Sequence, residues 1–205
     1  MTKIAMIHPS TEVRYINENI GYGLFATAYI PTGTITWVKD QLDREITPAQ
    51  LRQYSTELQE TILHYSYRNN RGNFIFCWDN TRYMNHNNNP NTCITAYQVE
   101  IAVRDIHTDE ELTNHYGTLN ILEPFELPGP DKHIVRPDDL LRYSHTWDMR
   151  LQKAFQFLSS VHQPLRGYLQ NGNWDELCKV SKGECPMQSI STCYATPIEE
   201  GSMFL

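Results

Sequence analysis

The sequence predicts a mainly β fold with α elements, extended at its C-terminus by helices. Three observations carry this. Short apolar or alternating runs, punctuated by Gly, Pro and Asn, recur through residues 1–122. One amphipathic helical stretch, about residues 47–69, interrupts them. After residues 123–137, which hold four prolines and read as a linker, a second amphipathic stretch opens a C-terminal part over 138–205.

Taken in order, the first strand runs from Ile4 and turns between Asn17 and Gly23 into a second strand that reaches Phe25. In Ile30-Pro31-Thr32-Gly33-Thr34, Pro31 sets φ and Gly33 permits the reversal into a strand at Ile35 to Val38. From Thr47 to Tyr65, the residues Leu51, Tyr54, Leu58, Ile62 and Tyr65 recur at helical spacing. Thr47 is the expected N-cap, with Pro48 at the first helical position and Gln50 completing a capping box. Asn73 to Trp78 carries F-I-F-C-W and reads as a buried strand. Thr92 to Val103 reads as one alternating strand, followed by a polar turn at Asp105 to Glu111. In the C-terminal part, Trp147, Leu151, Ala154 or Phe155, Leu158 and Val161 line one face of a helix over Ser144 to Val161. Shorter helices fit Gln163 to Leu169 and Asn173 to Val180, and Cys185 to Leu205 is a mixed tail.

The net charge of -7 lacks the basic footprint of a phosphate-bound nucleic-acid partner and is compatible with a basic, lysine-rich polypeptide. No apolar run approaches the length that spans a bilayer, and the opening M-T-K-I-A-M-I-H is short and polar for a signal peptide. A soluble, cytoplasmic protein without a membrane partner is therefore expected. Cys77, Cys93, Cys178, Cys185 and Cys193 contain no C-x-x-C pair and read as free thiols in a reducing compartment.

Three stretches carry chemistry together. The first is G-Y-G-L-F-A-T from Gly21 to Thr27, with its I-P-T-G turn. The second is R-Y-M-N-H-N-N-N-P-N from Arg82 to Asn91. The third is E-E-L-T-N-H-Y-G from Glu110 to Gly117. In this order they resemble the SET-domain family of S-adenosylmethionine-dependent protein-lysine methyltransferases, over roughly the first 120 residues. The resemblance implies a β-clip of short sheets in which the second and third stretches interlock as a pseudoknot. It implies S-adenosylmethionine as cofactor, with Tyr22, Gly23, Leu24, Arg82, Asn85 and His86 at the cofactor positions and Tyr116 as the catalytic tyrosine. The 47–69 insert would form one wall of a peptide groove.

The implied reaction aligns an activated methyl donor with a neutral amine. Lysine ionises near 10.4, so an apolar channel that lowers this value helps supply the nucleophile, and alignment supplies most of the acceleration. Three residues depart from the family pattern. Asn88 stands where many members carry a zinc-binding cysteine, so no metal is inferred. Asn114 replaces an aromatic residue that limits methylation multiplicity; its smaller volume leads us to expect products beyond monomethyl-lysine. His115 replaces a common Asp and is read as structural. Lacking the zinc-bearing tail, the chain is expected to close its substrate channel with Tyr143 and Trp147. The function expected is methyl transfer to a protein lysine. The rivals are a non-catalytic SET-like peptide-binding module and a methyltransferase acting on a small amine.

Overall fold

The computed structural model describes residues 6–126, 134–169 and 172–195. The expected strand start at Ile4, the middle of the proline-rich stretch and the tail after residue 195 lie outside the described residues.

The motif-bearing sheet has four strands in the order β1-β2-β10-β7, where β1 is Thr11–Asn17, β2 Gly21–Ala26, β10 Glu111–Asn114 and β7 Asn85–His86. Gly21 opens β2 at φ 80°, a left-handed value that glycine adopts without strain. The turn before β10 places Asp109 at φ 66°, and its carboxylate holds Arg14 on β1 at 2.7 Å.

Two three-stranded antiparallel sheets complete the core. One runs β3-β9-β8, with β3 at Ile35–Val38, β8 at Thr92–Ile94 and β9 at Val99–Ala102. Thr92 to Val103 is thus a hairpin rather than a single strand. Gln98 takes φ 59° at the reversal, and the Thr95 hydroxyl donates to the Val99 carbonyl at 2.8 Å. The other sheet runs β4-β6-β5, with β4 at Arg44–Ile46, β5 at Ser66–Arg68 and β6 at Phe74–Phe76.

The insert starts as expected, with the Thr47–Gln50 capping box formed in both directions. It is nevertheless two helices, α1 (Pro48–Leu51) and α2 (Thr56–His64). Ser55 takes an extended conformation as N-cap of α2, and the Gln59 side chain ties back to the Tyr54 carbonyl at 2.8 Å. The break rotates the apolar face: Leu58 is exposed, while Leu63 packs with Leu51, Tyr54 and Ile62.

Residues 123–137 carry a short antiparallel ladder of β11 (Phe125–Glu126) and β12 (Ile134–Val135) at their described ends. α3 (Asp139–Leu158) begins one turn before its expected start and buries Leu140, Trp147, Leu151, Ala154, Phe155 and Leu158. A 3-10 turn at Arg166–Tyr168 and α4 (Asn173–Ser181) follow. This helical part and the β3-β9-β8 sheet share one core: Ile35, Val38, Val99 and Ile101 pack with Leu151, Phe155, Leu177 and Ile190. The Gln163 side chain seals the join, accepting from Ile35 N at 2.8 Å and donating to the Gly33 carbonyl at 2.9 Å.

Candidate active site

β7 and β10 pair in parallel, Thr113 with Asn85 and Asn114 with His86, so two motifs far apart in sequence lie side by side. Asn91 stitches them: its oxygen accepts from Thr113 N at 2.8 Å and its nitrogen donates to the Glu111 carbonyl at 2.7 Å. On the neighbouring strand, Asn85 Nδ2 donates to the Tyr22 carbonyl at 3.0 Å and to Glu111 Oε1 at 2.7 Å. A Cβ added to Gly23 would come within 2.5 Å of that same Glu111 oxygen. All three motifs therefore meet at Asn85 and Glu111.

Leu24 is fully buried and serves the core, paired with Val13 and Leu112. Tyr22 is half-exposed, its ring edge-on to Tyr15 and Tyr83. Arg82 lies over the rings of Tyr65 and Tyr83, and its buried Nε has no hydrogen-bond partner. His86 Nδ1 accepts from Tyr116 N at 3.0 Å, and its ring touches His115, Tyr116 and Phe125.

Tyr116 follows β10 at the start of a 3-10 turn, Tyr116–Thr118. His115 caps this turn, Nδ1 accepting from Gly117 N at 3.1 Å, a structural use of the side chain. The Tyr116 hydroxyl donates to the Met84 carbonyl at 3.0 Å, beside Asn85. Burial, with help from Glu111, pushes its pKa up to about 12. The phenol is therefore neutral at pH 7, with its one proton committed to Met84; toward another partner it offers an acceptor oxygen.

Tyr116 also lines a cavity of about 480 Å³. Asn114, Glu100, Trp37 and Met84 form buried parts of the lining, and His64, Tyr65 and Arg82 bring in the insert and the second motif. Asn114 Nδ2 donates to Glu100 Oε2 at 3.0 Å, and its oxygen accepts from His115 N at 2.7 Å and the Thr118 hydroxyl at 3.2 Å. The amide is thus held against an acid as well as facing the cavity.

Tyr143 and Trp147 are not among the residues that line this cavity. Trp147 is a core residue, 5.3 Å from His115 ring to ring, and Tyr143 is half-exposed. Helical spacing explains this: position 147 shares the buried stripe of Leu151 and Phe155, so its indole faces the core. Besides His86, Phe125 from the stretch read as linker meets Tyr116, with ring centroids 5.7 Å apart.

Sequence reasoning passed over Glu100, Glu111, Met84 and Phe125. For Glu100 a signal existed: V-E-I-A places one carboxylate among apolar residues, and all four positions of β9 are buried. The others have no local signature, because their role comes from partners far away in the chain.

Residues 21–117 match the family model of the SET domain. Residues 21–117 are a SET domain. The SET domain covers the three motifs, the cavity wall from Trp37 to Tyr116 and the insert, and it marks a methyltransferase-type or SET-like function. No curated protein matches the chain. Among the described residues, no helix is long and apolar enough to cross a membrane, and no group of three or more His, Cys, Asp or Glu could hold a metal ion.

Proposed function

We propose that this SET-domain protein transfers a methyl group from S-adenosylmethionine to the side-chain amine of a protein lysine. The observation that carries this reading is the Tyr116 hydroxyl. Tyr116 lines the cavity, and its hydroxyl proton is engaged by the Met84 carbonyl, next to the strand that bears Asn85. Such an oxygen can accept an N–H from an amine and orient its lone pair.

The cluster around Asn85 suits the cofactor. Glu111, the Tyr22 carbonyl and the Asn85 side chain form an acceptor-rich cluster. An amino-acid ammonium is the complementary charge. When bound, S-adenosylmethionine supplies a methyl group already activated on a sulfonium. Asn85 and the backbone at Tyr22 and Gly23 would hold its amino-acid end, with His86 beside them. Arg82, over Tyr65 and Tyr83, lies between this cluster and the insert.

A protein acceptor is favoured over a small amine by what lines the cavity. Its described lining ends at Glu123, so α3 and α4 do not cap it. The insert residues Leu63 to Arg68 form a wall along which a polypeptide can lie. The five free thiols suit a reducing compartment such as the cytoplasm.

Incubation with methyl-labelled cofactor and a lysate of the source cell tests the reading. Label on lysine side chains of protein is the expected result. A folded sample that binds cofactor and labels nothing, or labels only small amines, overturns it.

A further inference from the structure

The buried wall of the acceptor cavity is polar where a passage for an aliphatic stem would be apolar. Glu100 lies there, 3 % exposed. Its Cα partner across the β3–β9 pair is Trp37, whose buried Nε1 lacks a hydrogen-bond partner. Ser66, also lining the cavity, has a buried hydroxyl in the same condition. Buried polar atoms without partners are costly, and a polar occupant would satisfy them.

Resting on the methyltransferase reading, we propose that Glu100 is the catalytic proton acceptor for the substrate ammonium, held in place by Asn114. One N–H bond of the lysine ammonium breaks and one O–H bond forms on the Glu100 carboxylate. The nitrogen keeps the electron pair and becomes the neutral nucleophile beside Tyr116. The proton on Glu100 afterwards returns to solvent through the cavity mouth.

Three features support this assignment. First, Asn114 Nδ2 grips Oε2 at 3.0 Å, the Thr36 hydroxyl approaches Oε1 at a long 3.5 Å, and the Thr92 hydroxyl beside Glu100 donates to the Thr113 carbonyl at 2.9 Å, so the carboxylate keeps acceptor capacity. Second, Tyr116 is a poor base: it is neutral until far above pH 7. Third, burial, opposed by the polar side chains of Thr92, Asn114 and Thr36, raises the Glu100 pKa to about 7, where proton uptake and release are balanced at neutral pH. The groups facing Glu100 leave that balance in place. Asp79 adds a raising influence, and the buried thiols Cys77 on one side and Cys93 on β8 are themselves pushed up and neutral. Elsewhere the charged or titratable lining includes Arg68, Arg82, His64 and Glu123.

The test compares the wild type with Glu100→Gln, using labelled S-adenosylmethionine and poly-L-lysine across pH 5.5–10. The wild-type rate should rise with a midpoint near 7 as the carboxylate forms. The variant should lose that limb, fall at least roughly tenfold at pH 7.5, and recover towards pH 10, where the amine is free without help. Superposable profiles overturn the proposal. A second readout does not need turnover: carboxyl carbon NMR of glutamate-labelled wild type, with and without Nα-acetyl-lysine methylamide. An ammonium beside Glu100 should move its titration to lower pH; an unmoved titration overturns the proposal. A wild type that methylates nothing while this titration still moves would sink the function and leave the ammonium site standing.

Discussion

Asn85 Nδ2 lies 2.7 Å from Glu111 Oε1 and 3.0 Å from the Tyr22 carbonyl, so one amide group spans all three SET motifs. Replacing Asn85 by Ala leaves the carboxylate and the carbonyl without their donor at the proposed cofactor cluster. Cofactor affinity should weaken by about 1–3 kcal/mol. Calorimetric titration measures this, and an unchanged affinity would leave Asn85 with strand pairing as its only task.

Gly23 and Gly21 make a contrasting pair. A Cβ on Gly23 would meet Glu111 Oε1 at 2.5 Å and Ile16 Cδ1 at 2.7 Å, whereas one on Gly21 meets nothing within 4 Å. Gly23→Ala must therefore push Glu111 off Asn85 and weaken cofactor binding. Gly21→Ala strains only a left-handed residue, costing roughly 1–2 kcal/mol of stability with cofactor affinity intact. Titration and thermal melts of both variants separate the two effects. Equal cofactor affinities in the pair would contradict the geometry.

Tyr116→Phe deletes the hydroxyl that donates to Met84 and leaves the ring contacts with His86 and Phe125 in place. Turnover should fall at least about tenfold, equivalent to about 1.4 kcal/mol of barrier, with cofactor affinity unaltered. A variant as active as the wild type would make Tyr116 a packing residue.

The three motifs and the buried stripe of α3 were legible because each rests on local spacing. Gly21, Asn85 and Tyr116 announce themselves by type and neighbourhood, and Trp147 to Leu158 by helical period. The split in the insert was hidden, since Ser55 interrupts a pattern whose apolar spacing continues unbroken through Leu58. Phe125 was hidden because its partners, His86 on β7 and Tyr116 in the turn after β10, are brought together only in three dimensions. Trp147 was readable as an aromatic on a helix, but its direction depended on which stripe of α3 met the β3-β9-β8 sheet.

Asn120, three residues beyond the SET match, takes φ 52°, a left-handed value Asn tolerates. It is 2 % exposed and uses its whole amide: it donates to the Arg68 carbonyl at 2.9 Å and the Cys193 carbonyl at 2.8 Å, and accepts from Ala195 N at 3.0 Å. Asn120→Ala should cost roughly 2–4 kcal/mol, read from urea denaturation. Ending the chain near Asn120 should be more severe, because it strips the helical half of the shared core; a soluble, cooperatively melting fragment would refute this.

Glu100 also sets a pH dependence of stability. Its folded pKa is raised to about 7 by burial, above the ordinary carboxyl value. Its contribution is therefore fully present below the unfolded pKa and is lost as pH rises through 7. His8 works in the opposite sense. Burial, aided by His162, lowers it to about 4, so its contribution is present above the ordinary histidine value and is lost as pH falls towards 4. Glu100→Gln should raise the melting temperature at pH 8 and leave it nearly unchanged at pH 4.5. An equal shift at both pH values would mean that the carboxyl does not change ionisation over this range.

The core shared between the β3-β9-β8 sheet and the C-terminal helices bears on how the protein is made. On a ribosome, chain emerges N-terminus first, and domains generally fold as units. Here Ile35 and Ile101 wait for Leu151, Phe155 and Ile190, and Asn120 waits for Ala195. A nascent chain that has delivered all three SET motifs still exposes one face of that sheet. Folding competence is thus acquired some 75 residues after Asn120, and until then the unfinished sheet is a natural client for a chaperone.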